Sequence, residues 1–176
     1  MYYGNIKEFS VENGTGVRVS FFVSGCRHCC KNCFSKHTWD FNYGLPYDEE
    51  VSDKIIEALR PNYIEGITIL GGDPLEPENQ EEVLKLMKRI REELPQKNIW
   101  MFSGFVFEEL FDENCRAHTE YIEEILENLD VLIDGEFIDR LKNLSLKFRG
   151  SSNQRILNVK KSLEEKKAIV IPEYMD

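Results

Sequence analysis

Long apolar segments and an excess of positive charge are both absent from this chain. None of its 176 residues belongs to a run approaching the roughly 20 apolar residues of a membrane span. Residues 1–10 have neither the basic start nor the apolar centre of a signal peptide. The formal net charge is −10, whereas binding of nucleic acid phosphates needs a basic surface. We therefore expect a cytoplasmic protein that binds neither membranes nor nucleic acids.

Internal repeats and low-complexity linkers are also absent. With 41% hydrophobic residues, a chain of this length buries one core, which predicts a single domain over residues 1–176. Cysteine is rare outside one segment, because four of the five cysteines fall between positions 26 and 33. An odd number of crowded cysteines argues against disulfides and for reduced thiolates in a reducing compartment.

The spacing of Cys26, Cys30 and Cys33 is C-x3-C-x2-C, in a loop directly after an apolar run. Three thiolates supply three of the four ligands of a cubane iron-sulfur cluster and leave one iron open for a small molecule. This predicts a reactive cluster. Cys29 permits a rival register, Cys26-x2-Cys29-x3-Cys33, and the spacing alone does not choose between them. A structural zinc site is a further alternative, although outside this loop no CxxC or HxxxH completes a tetrahedral set.

A second unusual segment is Gly71-Gly72-Asp73-Pro74, which follows the apolar run at 66–70. Two glycines allow the backbone to approach a ligand closely, and proline prevents the strand from continuing. We therefore expect a ligand-binding turn at the end of a strand.

Short apolar segments alternate with helical patterns along the chain. The segments 17–23, 66–70, 98–102 and 131–134 read as buried parallel strands. Three helices are predicted between these strands. Asn79 and Glu82 have the spacing of a capping box at the start of the second helix. Their apolar faces are Val51, Ile55, Ile56 and Leu59; Val83, Met87, Ile90 and Leu94; and Ile122, Ile125, Leu126 and Leu129.

Strand-helix repetition implies right-handed crossovers, a mainly parallel sheet, and a ligand at the carboxyl ends of the strands. Four segments follow predicted strands and should meet there: the cysteine loop, the glycine turn, Ser103-Gly104 and Asp134-Gly135. The chain is too short for an eight-unit barrel of about 250 residues. The fold class expected is α/β, an open, incomplete (β/α) barrel.

Taken together, the cysteine loop and the glycine turn resemble the radical S-adenosylmethionine superfamily. Within it, the chain resembles the anaerobic ribonucleotide reductase activating proteins from about Tyr3 to Val159, which leaves 160–176 as a C-terminal extension. The matching motifs, in order, are NGTGVR at 13–18, FVSGCRHCCKNCFSKHTW at 22–39, LGGDPL at 70–75, Ile99-Trp100, VLIDGEF at 131–137 and RGSSNQR at 149–155.

The resemblance implies an enzyme with one [4Fe-4S] cluster held by Cys26, Cys30 and Cys33, which selects Cys30 over Cys29. The cluster would cleave S-adenosylmethionine to a 5′-deoxyadenosyl radical, which removes hydrogen from a glycine of the large reductase subunit and leaves a glycyl radical. The electron would come from a low-potential donor such as a flavodoxin. The expected nucleotide-site residues are Gly71, Gly72, Asp73, Pro74, His28, Ser103 and Asp134.

Two features depart from the superfamily pattern. Many members have an aromatic residue before the third cysteine that packs on adenine, and this chain has Asn32 there. Lys31-Asn32 also replaces a common Pro-Gly pair, which removes rigidity from the loop. Two alternative functions stay open: activation of a different glycyl radical enzyme, and a non-catalytic iron-sulfur module that transfers electrons.

Charge is unevenly distributed, because residues 140–167 contain nine Lys or Arg and two Glu. This segment is a candidate docking face for an acidic protein. Two roles are open for Arg18, Arg149, Asn153 and Arg155: contacts with a partner, or contacts that support the site residues from behind. The competing interpretation is that Lys160, Lys161, Lys166 and Lys167 only solvate a surface helix. Asp134 likewise has two possible roles, a helix cap or a polar group at the nucleotide site.

Overall fold

One seven-stranded sheet forms the frame of the molecule, and a computed structural model describes residues 1–175 of it. The strands lie in the order β3-β1-β2-β4-β5-β6-β7. They span β1 (Tyr2–Ser10), β2 (Val17–Val23), β3 (Leu45–Pro46), β4 (Ile64–Gly71), β5 (Asn98–Phe102), β6 (Val131–Asp134) and β7 (Arg155–Asn158).

The α-helices are α1 (Glu49–Leu59), α2 (Pro77–Glu93), α3 (Ile122–Glu127), α4 (Val159–Glu165) and α5 (Pro172–Met175). Short 3-10 helices occupy Lys36–Trp39, Phe107–Phe111 and Asp139–Leu141. The three predicted helices correspond to α1, α2 and α3, and their expected apolar residues are buried. Leu94 and Leu129 lie just after the ends of α2 and α3 and are buried as well.

The four central strands, β2, β4, β5 and β6, are parallel, as predicted. The sheet is open, and the predicted mixed α/β architecture of an incomplete barrel is confirmed. Strands β1, β3 and β7 lie toward its two edges and pair antiparallel with their neighbours. The sequence does not predict these strands, because β1 is partly exposed with a mixed pattern, and β3 and β7 are very short.

Each face of the sheet packs against a separate hydrophobic cluster. The helices cover one face, where Val19, Phe21 and Val23 of β2 join the larger core. The other face carries a small cluster of Trp100, Val131, Ile133 and Ile156, against which Phe148, Tyr174 and Met175 pack. The C-terminal extension therefore packs on the body of the protein.

The capping box predicted at Asn79 and Glu82 is wrong. Helix α2 begins at Pro77, because proline suits the first helical position, where no N–H is needed for the helix. Asn79 falls inside the first turn, where its buried side-chain amide donates to the carbonyls of Ser24 and Asp73, each at 3.0 Å. It joins the end of β2 to the glycine turn.

The basic residues of segment 140–167 do not all lie at the carboxyl ends of the parallel strands. Strand β7 runs antiparallel to β6, with Arg155 opposite Asp134 and Asn158 opposite Val131. The chain therefore returns to the amino ends of the parallel strands before α4 begins. Lys160 and Lys161 are exposed on α4, at the sheet edge away from the carboxyl ends.

Of the helices in residues 1–175, none combines the length and hydropathy that a bilayer span requires.

Candidate functional site

A cavity of about 720 Å³ opens at the carboxyl ends of the parallel strands. Loops that follow all four of these strands line it, which is the convergence that the sequence predicts. The expected site residues that contribute to its lining are Cys26, His28, Cys30, Cys33, Gly71, Gly72, Asp73 and Ser103, and Gly135 completes the fourth loop.

The thiols of the cysteine loop divide into two groups. Cys26, Cys30 and Cys33 line the cavity and are partly buried, whereas Cys29 is exposed and does not line it. Cys29 and Asn32 both adopt left-handed backbone conformations, with φ of 53° and 59°. Such residues reverse the chain direction locally, so the loop winds tightly between its cysteines. The geometry therefore favours the register that includes Cys30.

Burial raises the pKa of the Cys26 thiol to about 12, and the nearby Asp73 carboxylate adds to this effect. Burial also raises the pKa of Cys30. Both thiols are thus protonated at neutral pH until a metal displaces their protons. Within residues 1–175, no three Cys, His, Asp or Glu side chains converge as ligands of one metal ion. A cubane assigns each cysteine to a different iron, so its ligands do not have to meet at one point.

The glycine turn closes against the first residues of the cysteine loop. The Gly72 N–H donates to the Val23 carbonyl and the Asp73 N–H donates to the Gly25 carbonyl, both at 2.8 Å. A Cβ on Gly72 would lie 2.5 Å from the Gly25 oxygen, and Gly71 has a φ of 108°. The two glycines are therefore required for the cysteine loop and the turn to touch.

Asp73 connects two strand ends through its buried carboxylate. That carboxylate accepts hydrogen bonds from Ser103 Oγ at 2.9 Å, from the Gly104 N–H at 2.8 Å and from the Leu75 N–H at 2.9 Å. Asp73 thus positions the turn after β5 relative to the turn after β4. Pro74 is buried, ends the turn and does not line the cavity.

His28 lies between two carboxylates. Its Nδ1 is 2.8 Å from Glu136 Oε1, and its Nε2 is 3.0 Å from Asp73 Oδ2, the second contact without hydrogen-bond geometry. Burial lowers the pKa of His28, but the Asp73 and Glu136 carboxylates outweigh burial and raise it. A Cβ on Gly104 would lie 2.5 Å from the imidazole, so this approach also depends on a glycine.

Asp134 does not face the cavity. Its fully buried carboxylate accepts from the Phe107 N–H at 2.8 Å and from Arg155 Nη2 at 2.6 Å. Of the two open interpretations, the helix cap fits in part, because Phe107 is the first residue of a 3-10 helix. Arg155 Nε donates to the other oxygen at 3.0 Å, so both carboxylate oxygens bind groups of the chain rather than a nucleotide. Asp134 and Arg155 instead form a buried link between β6 and β7, and Gly135 lines the cavity in place of Asp134.

The RGSSNQR segment forms a wall of the cavity. Gln154 accepts from the Gly150 N–H at 2.9 Å and donates to the Gly135 carbonyl at 3.0 Å. Arg149 lines the cavity and donates to the carbonyls of Gln154 and Met175, at 2.9 and 2.7 Å. Neither Arg149 nor Arg155 is thus an exposed docking contact.

Arg18 and Asn153 also make contacts within the chain. Arg18 is fully buried, donates from Nε to Thr68 Oγ1 at 2.8 Å, and lies outside the cavity lining. Asn153 is exposed and donates to the Glu136 carbonyl at 2.8 Å.

Glu76 is a site residue that the sequence patterns do not predict, and its side chain is fully buried beside the cysteine loop. It accepts from the Arg27 N–H and from Arg27 Nη1, each at 2.8 Å, and from Arg116 Nη2 at 3.1 Å. Burial raises the pKa of Glu76, but the two arginines outweigh it and lower the pKa overall. Glu76 therefore holds the loop between Cys26 and His28 as an anionic anchor.

Comparison with known proteins agrees with this geometry. A family model described as a 4Fe-4S single cluster domain matches residues 12–157. Three similar proteins each have the name anaerobic ribonucleoside-triphosphate reductase-activating protein. That from Escherichia coli K12 is 40% identical over 156 residues, which cover 88% of this chain and 96% of the relative. The chain belongs to this family.

More distant and closer relatives lead to the same assignment. The activating protein of Haemophilus influenzae is 43% identical over 148 residues, covering 83% of this chain and 90% of the relative. That of phage T4 is 35% identical over 156 residues, covering 89% and 93%. The resemblance read from the sequence motifs is thus confirmed for nearly the whole chain.

Proposed function

We propose that this chain activates an anaerobic ribonucleoside-triphosphate reductase by generating a glycyl radical in its large subunit. The observation that supports this most strongly is the shared cavity of three loop thiols and a glycine turn. An electron carrier needs buried thiols but no second binding turn beside them. Membership of the activating-protein family supports the assignment to this reductase over other glycyl radical enzymes.

Cys26, Cys30 and Cys33 would hold one [4Fe-4S] cluster. The thiols fit this group because all three line the same cavity while Cys29 stays outside it. Three ligands leave one iron without a protein ligand, and that iron would be open to a small molecule. Glu76 and the turn at Gly72 both hold the loop in place through hydrogen bonds to its backbone.

S-adenosylmethionine would occupy the cavity beside the glycine turn. Gly71, Gly72 and Ser103 contribute its polar wall, and Phe102 and Phe148 contribute apolar surface. Asn32 cannot pack on adenine as an aromatic residue would, so the aromatic residues of the cavity are our candidates for that contact. His28 would fix the distance between the cysteine loop and the Asp73 turn.

When bound, the cluster supplies the electron that cleaves S-adenosylmethionine to a 5′-deoxyadenosyl radical, which takes hydrogen from the reductase glycine. The residues of the chain orient the sulfonium and exclude water from it. The open sheet suits this task, because a protein segment reaches the cavity only where the barrel does not close.

The proposal is tested by mixing the anaerobically reconstituted chain with its reductase large subunit, S-adenosylmethionine and dithionite. We expect a glycyl radical signal by electron paramagnetic resonance that needs all components. Omission of S-adenosylmethionine is the control and should abolish the signal. A reconstituted cluster that yields neither 5′-deoxyadenosine nor a protein radical would identify the chain as an electron carrier instead.

A further inference from the structure

The outer side of the cysteine loop is basic, although the whole chain has a net charge of −10. No Asp or Glu occurs between Gly25 and Trp39. Lys31 and Lys36 are exposed there, and Lys142 is exposed nearby on a separate segment. Among residues 1–175, none of these three lysines has a carboxylate within ion-pair distance, and that distinguishes them from Arg27, which pairs with Glu76 and Glu78.

An exposed aromatic ring lies beside one of these lysines, and in sequence it falls between the other two. Phe34 follows Cys33 directly and is 67% exposed. The ammonium of Lys142 is 5.1 Å from the centre of the Phe34 ring, and Phe137 packs 5.6 Å away, centre to centre. An exposed aromatic residue within a charged rim is typical of protein interfaces. We call Lys31, Phe34, Lys36 and Lys142 the basic patch.

We propose that the basic patch docks an acidic electron-carrier protein that reduces the cluster. This inference rests on the proposed function. Charge complementarity identifies the partner, because unpaired lysines on an acidic protein select an acidic surface and repel a basic one. Lys31 lies between Cys30 and Cys33 in sequence, so a carrier seated here is separated from the cluster by little more than the loop itself.

The position of the patch leaves the cavity available for the substrate. None of the three lysines lines the cavity, whereas Phe34 contributes to its lining. The electron would therefore enter through the outer side of the loop, and the reductase glycine would enter through the open cavity. In the transfer, the carrier loses one electron and the oxidised cluster gains one, with no bond made or broken.

The same observations weigh against Lys160 and Lys161 as the docking site. These lysines lie on α4, near the amino ends of the parallel strands, while the cysteine loop follows the carboxyl end of β2. An electron delivered at α4 would have to cross the length of the sheet. They make a matched control, since they carry the same charge on the same chain.

The test uses the reconstituted protein with photoreduced flavodoxin, an acidic carrier, as the probe. Reversal of Lys31 and Lys36 together to Glu should slow cluster reduction by about tenfold at low salt and less at high salt. Lys142→Glu should slow it several-fold in the same direction. Binding of oxidised flavodoxin should weaken in parallel, and the Lys160→Glu, Lys161→Glu control should behave as wild type.

Dithionite separates docking from damage to the loop. All variants should have full iron content, and with dithionite they should form the glycyl radical at the wild-type rate. The inference would be overturned if flavodoxin reduced both the Lys31, Lys36 double variant and the Lys142→Glu variant at the wild-type rate. Equal slowing in the Lys160→Glu, Lys161→Glu control would attribute the effect to net charge. Loss of the dithionite reaction would assign the patch to docking of the reductase. Either result would also overturn the inference. Failure of the wild type with dithionite would refute the proposed function itself.

Discussion

Cys30→Ala should abolish assembly of the four-iron cluster, whereas Cys29→Ala should leave it intact. Cys30 lines the cavity with Cys26 and Cys33, and Cys29 is exposed outside it. With only two thiolates left in the cavity, a cubane loses a second protein ligand and does not survive isolation. The Cys29 thiol cannot replace that of Cys30 unless the loop backbone changes conformation, because Cys29 is in the left-handed region.

Iron and sulfide analysis after anaerobic reconstitution measures this difference. The two variants are matched, since they remove the same atom from adjacent positions of one loop. Full iron content in Cys30→Ala together with its loss in Cys29→Ala would show that the rival register is used.

Gly72→Ala should strongly weaken the response of the reduced cluster to S-adenosylmethionine. The new Cβ would lie 2.5 Å from the Gly25 carbonyl oxygen, which is backbone and has no freedom to swing away. The turn must then separate from the cysteine loop. A misplacement of about 1 Å at a positioning group costs up to about a hundredfold in rate. For nucleotide binding, we expect that half of the spectral change needs at least about a tenfold higher concentration of S-adenosylmethionine.

Electron paramagnetic resonance of the reduced protein, titrated with S-adenosylmethionine, checks this expectation. Gly4→Ala is the control, because its Cβ would meet only side chains, those of Tyr43 at 2.8 Å and Thr38 at 3.5 Å, and Gly4 itself does not line the cavity. Gly4→Ala should titrate as wild type. A wild-type titration for Gly72→Ala would mean that contact between the turn and the loop is unimportant for nucleotide binding.

The central strands and the site they converge on were predictable because both depend on local pattern. Strands β2, β4, β5 and β6 are short apolar runs, and in a parallel sheet their carboxyl ends must share one edge. The edge strands were not predictable in this way. β1 exposes much of its surface and β7 has four residues, so neither has the periodicity of a buried strand.

Buried charges explain the other differences between the sequence and the structure. Asp134 pairs with Arg155, and Glu76 pairs with Arg116, 40 residues later. A linear sequence pattern does not indicate which arginine pairs with which carboxylate. Asp134 was therefore assigned to the nucleotide site, and Glu76 was not predicted. The basic segment is dispersed for a related reason, because Arg149 and Arg155 make contacts within the chain. Lys160 and Lys161 lie at the far edge of the sheet, whereas Lys142 lies beside Phe34.

Transfer of deuterium from the reductase to the nucleotide product is the most direct test of glycyl radical formation by this chain. The large subunit would be prepared with deuterated glycine and incubated with the reconstituted chain, S-adenosylmethionine and dithionite. The 5′-deoxyadenosine should gain one deuterium, in step with the protein radical signal. Formation of 5′-deoxyadenosine without deuterium, while the reductase acquires its radical, would contradict direct abstraction from glycine.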